Sequence, residues 1–267
     1  MIFGLLSRLA RVRITLGYAL ALTSVSVALV ELGPRARAHV IALASTNLHN
    51  LAHGHLATLF GSAFVTDAGP IWFWLPCLVC LLALAELIWR SGRLALVFVT
   101  GHVGATLLVA AGLTAAVELG WLPLSISRAS DVGVSYGAVA VLGALTSAVP
   151  RRWRPAWIGW WLPVGIASAA LGDDFTAVGH FVALVLGMLV STRLVGPAQW
   201  TWLRYALLGV GASFGFLMMA HGERTTLIVG AVGLLGALAA VGIARSRAVR
   251  RQLPVAALAA PEPVLNA

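Results

Sequence analysis

The feature that most constrains this chain is a series of long apolar runs separated by short charged segments. Each run approaches the length of about 20 residues that an α-helix needs to cross a bilayer. Hydrophobic residues make up 60% of the 267 positions and charged residues 10%, whereas an ordinary soluble domain is about 25% charged. The sequence therefore predicts an all-α, polytopic membrane bundle. The predicted spans are residues 14–31, 70–89, 94–117, 132–149, 156–171, 175–195, 204–220 and 225–244.

The basic residues predict how this bundle lies in the membrane. All 18 of them are arginines, and cytoplasmic segments of membrane proteins carry an excess of positive charge. With a cytoplasmic N-terminus, the arginines that face inward are Arg8, Arg11, Arg13, Arg90, Arg93, Arg151, Arg152, Arg154, Arg193, Arg204, Arg245, Arg247, Arg250 and Arg251. Those that face outward are Arg35, Arg37, Arg128 and Arg224. We therefore expect a multi-pass protein of the cell membrane with both termini cytoplasmic. We expect no nucleic-acid partner, because the arginines are scattered over short segments.

Spans and charges together predict the organisation of the chain. The expected parts are a cytoplasmic start (1–13), a membrane core (14–195) with an external segment (33–69), two additional transmembrane helices (196–244) and a basic, then disordered, cytoplasmic tail (245–267). In the external segment, residues 50–64 are too few to span and rich in His, which favours an interfacial helix. The first run has a second reading as a signal peptide cleaved near Arg37, although it is longer than a usual signal core.

Ionisable and nucleophilic side chains inside a bilayer are costly, so each one is a functional candidate. The predicted spans contain Glu86, His102, Ser135 and His180. Ser135 follows Asp131 by four residues at the outer start of its span, which places it about 6 Å deep at 1.5 Å per residue. His180 follows Asp174 by six residues in a span that also enters from outside, which places it about 9 Å deep. The two side chains are thus predicted at similar depth on the same side.

A serine and a histidine at one depth form a candidate nucleophile and base. A serine hydroxyl is a weak nucleophile until a base within hydrogen-bond reach takes its proton. Gly133 and Gly137 flank Ser135, and Gly187 follows His180 at a helical spacing, so small residues permit the two helices to approach. Unpaired N–H groups near a helix N-terminus can stabilise an oxyanion. The same pattern also fits ordinary packing, with a serine bonded to its own backbone.

Four stretches carry a family resemblance. Gly133-Val134-Ser135-Tyr136-Gly137-Ala138 resembles a nucleophile helix with a Gly-x-Ser core, and the Gly179-His180 to Gly187 stretch resembles a final core helix. Ser62-Ala63-Phe64 and the turn from Glu86 to Arg93 are similar to further parts of the same pattern. On these residues the chain resembles the rhomboid family of intramembrane serine proteases, in particular divergent rhomboid-like proteins of actinobacterial type, over residues 14–195.

The resemblance implies a serine endopeptidase whose catalytic residues are a serine and a histidine. Ser135 would be the nucleophile and His180 the general base, and transmembrane protein substrates would be cleaved near the outer face without a cofactor. The His and Asn of the second family helix that donate to the oxyanion have no match here, so Gly133, Asn50 and His49 are the expected oxyanion residues. An alternative is an inactive rhomboid-like protein that binds transmembrane segments of partner proteins.

Rival sites are less well supported by the sequence. His49, His53 and His55 offer imidazoles at helical spacing, but no Cys, Asp or Glu stands among them, so we expect no metal site. A bis-His haem would need paired depths, whereas His102 lies near mid-membrane and His180 near the outside.

Glu86, the remaining ionisable residue of the predicted spans, is interpreted as a structural group. Glu86 precedes Arg90 by four residues, the order that favours an ion pair within one helix. Coupled ion transport is disfavoured, because the span interiors carry too few charges for it.

Overall fold

A computed structural model describes residues 9–66, 69, 71–194, 199–220 and 223–252, and the side chains in these ranges apart from 223, 224 and 250–252. The predicted disordered end of the tail lies outside the described residues. Within them every regular element is helical. In chain order the α-helices are α1 (Arg13–Glu31), α2 (Gly33–Ala44), α3 (Leu48–Ala52), α4 (Thr58–Gly61), α5 (Ile71–Trp89), α6 (Ser91–Glu118), α7 (Ser135–Ala144), α8 (Arg154–Leu171), α9 (Phe175–Ser191), α10 (Trp202–Met219) and α11 (Glu223–Gln252).

The eight longer helices outside the external segment, α1 and α5 to α11, coincide with the eight predicted runs, which confirms the all-helical membrane bundle. Among the described residues, five helical stretches are long and apolar enough to cross a membrane: 10–31, 71–89, 91–118, 202–219 and 225–249. Two shorter apolar helices, Ser135–Ser147 and Phe175–Ser191, stand between them in the chain. The protein is therefore a multi-pass membrane protein, and the full count of eight crossings stays a prediction.

The short helix α7 occupies the centre of the bundle. Every residue from Tyr136 to Ala144 is buried, because α5, α6, α9 and α10 all pack around it. Ten residues make a helix of about 15 Å, roughly half the thickness of the hydrocarbon core. A 3-10 turn, Leu145–Ser147, extends it. A buried helix this short places both of its ends inside the bundle.

The start of α7 differs from the prediction. The sequence predicted a span from residue 132, with Ser135 one turn inside it. In the structure Gly133 has φ of 126°, a backbone conformation that glycine adopts readily and that ends the preceding loop. Ser135 is therefore the first helical residue, so the count of helical residues from Asp131 was wrong and the depth of the serine stays a prediction.

Small residues bring the backbones of α6, α7 and α9 together. A Cβ at Gly187 would overlap the carbonyl of Ala140, and one at Gly143 would overlap the carbonyl of Leu184. Gly187 thus serves the close approach expected of it. Gly137 packs against the ring of Phe98 on α6 instead, and a Cβ at Gly133 would meet nothing within 4 Å, so neither glycine that flanks Ser135 forms the contact with α9.

The two C-terminal helices are built into the bundle. Helix α10 packs along α5 and also reaches α7, while α11 packs along α8. Gly215 of α10 meets Leu142 of α7, and Gly159 of α8 lies against Gly236 of α11. The hydroxyl of Ser168 on α8 also donates a hydrogen bond to the carbonyl of Met219 at the end of α10. Helix α10 therefore contacts the central helix directly, whereas α11 packs on α8.

The external segment folds into short pieces instead of the single interfacial helix predicted over 50–64. Helix α3 begins where the Asn47 side chain accepts a hydrogen bond from the N–H of Asn50. The Asn50 side chain in turn donates to the carbonyls of Ala42 and Ser45. Side-chain bonds to nearby backbone compete with a continuous helix, and Gly54, with φ of 77°, turns the chain after α3.

Candidate functional site

Ser135 lies at the N-terminus of the central helix. Its side chain is partly buried, and Val134 at the N-cap provides no side-chain cap. The first N–H groups of a helix have no partner within it, and the first helical bond recorded at this end runs from Ala138 to the carbonyl of Val134. The helix itself therefore provides no acceptor for the N–H groups of Ser135, Tyr136 and Gly137. These groups lie next to the serine hydroxyl.

The loop before Ser135 is fixed by the external segment. The N–H of Asp131 donates to the Ser45 hydroxyl at 2.8 Å, and the N–H of Thr46 donates to the Asp131 carbonyl at 2.9 Å. The N–H of Gly133 donates to the carbonyl of Ser62 at 2.9 Å. Three bonds from two parts of the external segment thus hold the three residues at 131–133. The position of Ser135 depends on these contacts, which join parts of the chain about 70 to 90 residues apart.

His180 lies in the second turn of α9. That helix begins at Phe175, after Asp174 accepts hydrogen bonds from the N–H groups of Thr176 and Ala177. At 1.5 Å per residue, His180 is about 7.5 Å along the helix. Its side chain is only 3% exposed. The imidazole is therefore surrounded by residues of the bundle and not by solvent.

The serine end of α7 meets the histidine end of α9. The ring of Tyr136, directly after Ser135, contacts the imidazole of His180 edge to face, with ring centroids 5.6 Å apart and an interplanar angle of 82°. Further along, Gly143 meets Leu184, so the two helices run in the same direction. Among the described residues the Ser135 hydroxyl makes no hydrogen bond. The structure thus brings the two predicted residues to adjoining helix ends without a direct bond between them.

Tyr136, the residue after Ser135, fills a space between α7 and α9. Its side chain is 2% exposed. A Cβ at Gly179 would overlap the Tyr136 ring, so the absence of a side chain at Gly179 leaves the space that the ring fills. The aromatic ring thereby becomes part of the contact between α7 and α9.

The three residues expected at the oxyanion lie in or beside the external segment. Asn50 donates both side-chain hydrogen bonds recorded for it to the carbonyls of Ala42 and Ser45, and the N–H of Gly133 is donated to Ser62. The ring of His49 lies 4.3 Å from that of His53, centroid to centroid. Desolvation, followed by the positive charges of Arg128 and the neighbouring histidines, lowers the pKa of His49.

A second serine and histidine meet elsewhere, and sequence reasoning missed the contact. The Oγ of Ser62 lies 3.1 Å from Nε2 of His102, and the hydroxyl of Thr46 lies 2.9 Å from the same Oγ. Ser62 is 1% exposed and His102 4%. His102 therefore bonds a residue of the external segment, and the burial of both side chains leaves no open approach to Ser62.

The partners of Glu86 also differ from the prediction. Its carboxylate accepts hydrogen bonds from the N–H groups of Ile14 and Thr15 and from the hydroxyls of Thr15 and Ser91. An acidic group at a helix N-terminus satisfies N–H groups that have no other partner and complements the helix dipole. Glu86 therefore caps α1 from another helix, and the predicted ion pair with Arg90 was wrong.

The histidine-rich part of the external segment gives a limited cluster. The Nδ1 of His53 lies 2.7 Å from the carbonyl oxygen of His49. In the part of the chain that the structure describes, no group of three or more His, Cys, Asp or Glu side chains is arranged to hold a metal ion.

Comparison with known proteins gives one match. A family model described as rhomboid-like protein matches residues 12–199, more than two thirds of the chain. No curated protein and no solved structure matches the chain. The matched range contains Ser135, His180 and the external segment, and it ends before α10.

Proposed function

The chain belongs to the rhomboid-like protein family, and from that premise we propose that it is an intramembrane serine protease with Ser135 as nucleophile and His180 as general base. The observation that carries the proposal is the junction of α7 and α9. The imidazole of His180 packs on the residue that follows Ser135, at adjoining ends of two helices that run in the same direction.

The proposed reaction follows from this junction. His180 takes the proton from the Ser135 hydroxyl as its oxygen attacks the substrate carbonyl, and then gives that proton to the departing amine. Water hydrolyses the resulting acyl-enzyme with the same histidine as base. The reaction requires the Ser135 hydroxyl to turn towards the imidazole, and catalytic hydrogen bonds often tighten only when substrate is bound.

The oxyanion is proposed to be stabilised by the start of α7. The first-turn N–H groups there, beginning with that of Ser135, are uncommitted by the helix, and they are the proposed donors to the tetrahedral oxygen. Gly133 and Asn50, whose donors are engaged, then act by holding the loop in place. His49 stays the candidate for a side-chain donor from the external segment.

The position of the site in the membrane is part of the same proposal. Because α7 is short and buried, its serine end is recessed inside the bundle. With both termini cytoplasmic in the cell membrane, this end faces outward, and transmembrane substrates are cleaved near the outer face. Residues 14–195 form the catalytic core in this proposal, and the helices in 196–244 support it through their contacts with α5, α7 and α8.

A fluorophosphonate probe tests the proposal, because it labels only an activated serine. The rate of labelling is measured on the detergent-purified protein and on Ser135→Ala and His180→Ala. Each substitution is expected to lower the rate at least about 10³-fold, as for other residues that act as one unit. Ser147→Ala is the matched control, since Ser147 is a buried serine at the other end of the same helical segment. Parent protein that labels no faster than His180→Ala would contradict the assignment.

One observation favours a second candidate function. Among the described residues the Ser135 hydroxyl has no hydrogen-bond partner. This fits an inactive member that binds transmembrane segments of partner proteins. Photocrosslinking to a transmembrane partner that is unchanged in Ser135→Ala, in a protein that the probe does not label, would favour this function over proteolysis.

A further inference from the structure

A polar cavity of about 650 Å³ lies where α1, the turn between α5 and α6, and the start of α10 come together. Its lining includes four arginines from these separate parts of the chain: Arg11, Arg13, Arg90 and Arg204. Cavities of about 300 to 1,000 Å³ are typical of small-molecule sites. None of the residues that line this cavity belongs to α7 or α9, and the proposed protease mechanism does not use it.

The cavity has an excess of positive charge. Glu86 is the one acidic residue in its described lining. That carboxylate is 1% exposed and already accepts hydrogen bonds from Ile14, Thr15 and Ser91. Four guanidinium groups face a single committed carboxylate, which leaves three positive charges without a matching acid.

Three of the guanidinium groups are available to a ligand. Arg204 is braced, because it donates to the carbonyls of Gln199 and Leu87. For Arg11, Arg13 and Arg90 the described part of the chain provides no side-chain hydrogen bond or ion pair. A planar guanidinium with free N–H groups binds phosphate oxygens in pairs, which a lysine cannot do.

The backbone at Arg90 gives a second, independent sign of a built site. Arg90 has φ of 71° and is the one non-glycine residue with positive φ among those that the structure describes. A long side chain in this region of φ is uncommon, and such outliers concentrate at functional sites. A glycine would make the same turn more readily. Because the turn alone would favour glycine, the presence of an arginine here indicates a role for its side chain.

We propose that this cavity binds a phosphate-bearing anion, such as the headgroup of an anionic phospholipid. The cavity lies at the ends of α1, α5 and α10, and basic pockets between transmembrane helices bind anionic headgroups. Arginines that serve only as topology signals need not converge on one cavity. Arg245 and Arg247 on α11 illustrate that other arrangement, since neither lines the cavity.

The test measures the affinity of the full-length protein in a non-ionic detergent for three soluble probes. These are dihexanoyl-phosphatidylglycerol, dihexanoyl-phosphatidylcholine and inorganic phosphate. The double variant Arg11→Gln/Arg90→Gln is expected to bind the phosphatidylglycerol probe about 25-fold more weakly, from about 5-fold per arginine. The matched control Arg245→Gln/Arg247→Gln removes the same charge from the same predicted side of the membrane and is expected to bind as the parent does.

The outcomes separate the sources of the ligand. Tighter binding of phosphatidylglycerol than of both other probes supports a lipid headgroup, and equal binding of inorganic phosphate supports a soluble phosphate ligand at the same site. Phosphatidylcholine that binds as well as phosphatidylglycerol, or a control variant weakened as much as the cavity variant, would overturn the proposal. If the double variant does not fold, Arg13→Gln alone is expected to weaken binding about 5-fold.

Discussion

Gly187→Ala tests whether the contact between α7 and α9 activates the serine. A Cβ at Gly187 would overlap the carbonyl oxygen of Ala140 and lie within 3 Å of its Cα. These are backbone atoms of the central helix, so no flexible side chain can yield. The helices must instead separate, by a distance on the order of 1 Å, and a misplacement of about 1 Å between reacting groups costs about 10²-fold in rate.

The expected loss of stability is smaller than the expected loss of activity. Overpacking of this kind costs about 1–3 kcal/mol of unfolding free energy. It is offset in part by the gain of about 1 kcal/mol from replacing a helical glycine with alanine. The protein should therefore remain folded at a temperature below its melting midpoint, where its labelling by a fluorophosphonate is measured.

Gly112→Ala is the matched control for this substitution. Gly112 also lies within a long helix, but a Cβ there meets nothing within 4 Å. The control gains the same helix propensity without the contact, and it should label at the parental rate. Labelling of folded Gly187→Ala at the parental rate would refute the idea that the close approach of α7 and α9 sets the reactivity of Ser135.

Three further predictions concern groups around the site. Ser62→Ala should lower the unfolding free energy by about 1–3 kcal/mol, because His102 loses its buried partner, while the labelling rate of the protein that remains folded stays near parental. Burial raises the pKa of Asp131, so the folded state favours the protonated carboxyl and this contribution to stability is lost as pH rises through the raised pKa. The melting midpoint should fall as pH rises from about 4, the usual range of aspartate, and Asp131→Asn should flatten that dependence. Glu86→Ala should cost about 3 kcal/mol in thermal unfolding, because buried donors at the start of α1 lose their acceptor, whereas the exposed Glu118→Ala should cost little.

The sequence was sufficient to predict the long helices because hydropathy and length are local properties of a segment. It was insufficient where a partner lies far away in the chain. The i, i+4 spacing made Arg90 the visible partner of Glu86, but the N–H groups of Ile14 and Thr15 are better placed and lie about 70 residues earlier. No periodicity within one segment records such a contact.

The same reasoning explains the errors around the candidate site. Hydropathy continues smoothly through residues 132–134, so the pattern could not show that Gly133 breaks the helix and makes Ser135 its first residue. In the external segment, histidine content suggested a polar interfacial helix, whereas Gly54, with φ of 77°, breaks it between α3 and α4. The contact of Ser62 with His102 joins that segment to α6, and nothing in the spacing of the two residues indicates it.

The most direct test of the central claim is to identify the residue that carries a fluorophosphonate adduct by tandem mass spectrometry of the labelled, folded protein. Two serines compete for that role: Ser135, which is partly exposed beside the junction with His180, and Ser62, which is buried against His102. The proposed mechanism predicts an adduct on Ser135 and none on Ser62. An adduct on Ser62, or on any serine outside α7, would contradict it.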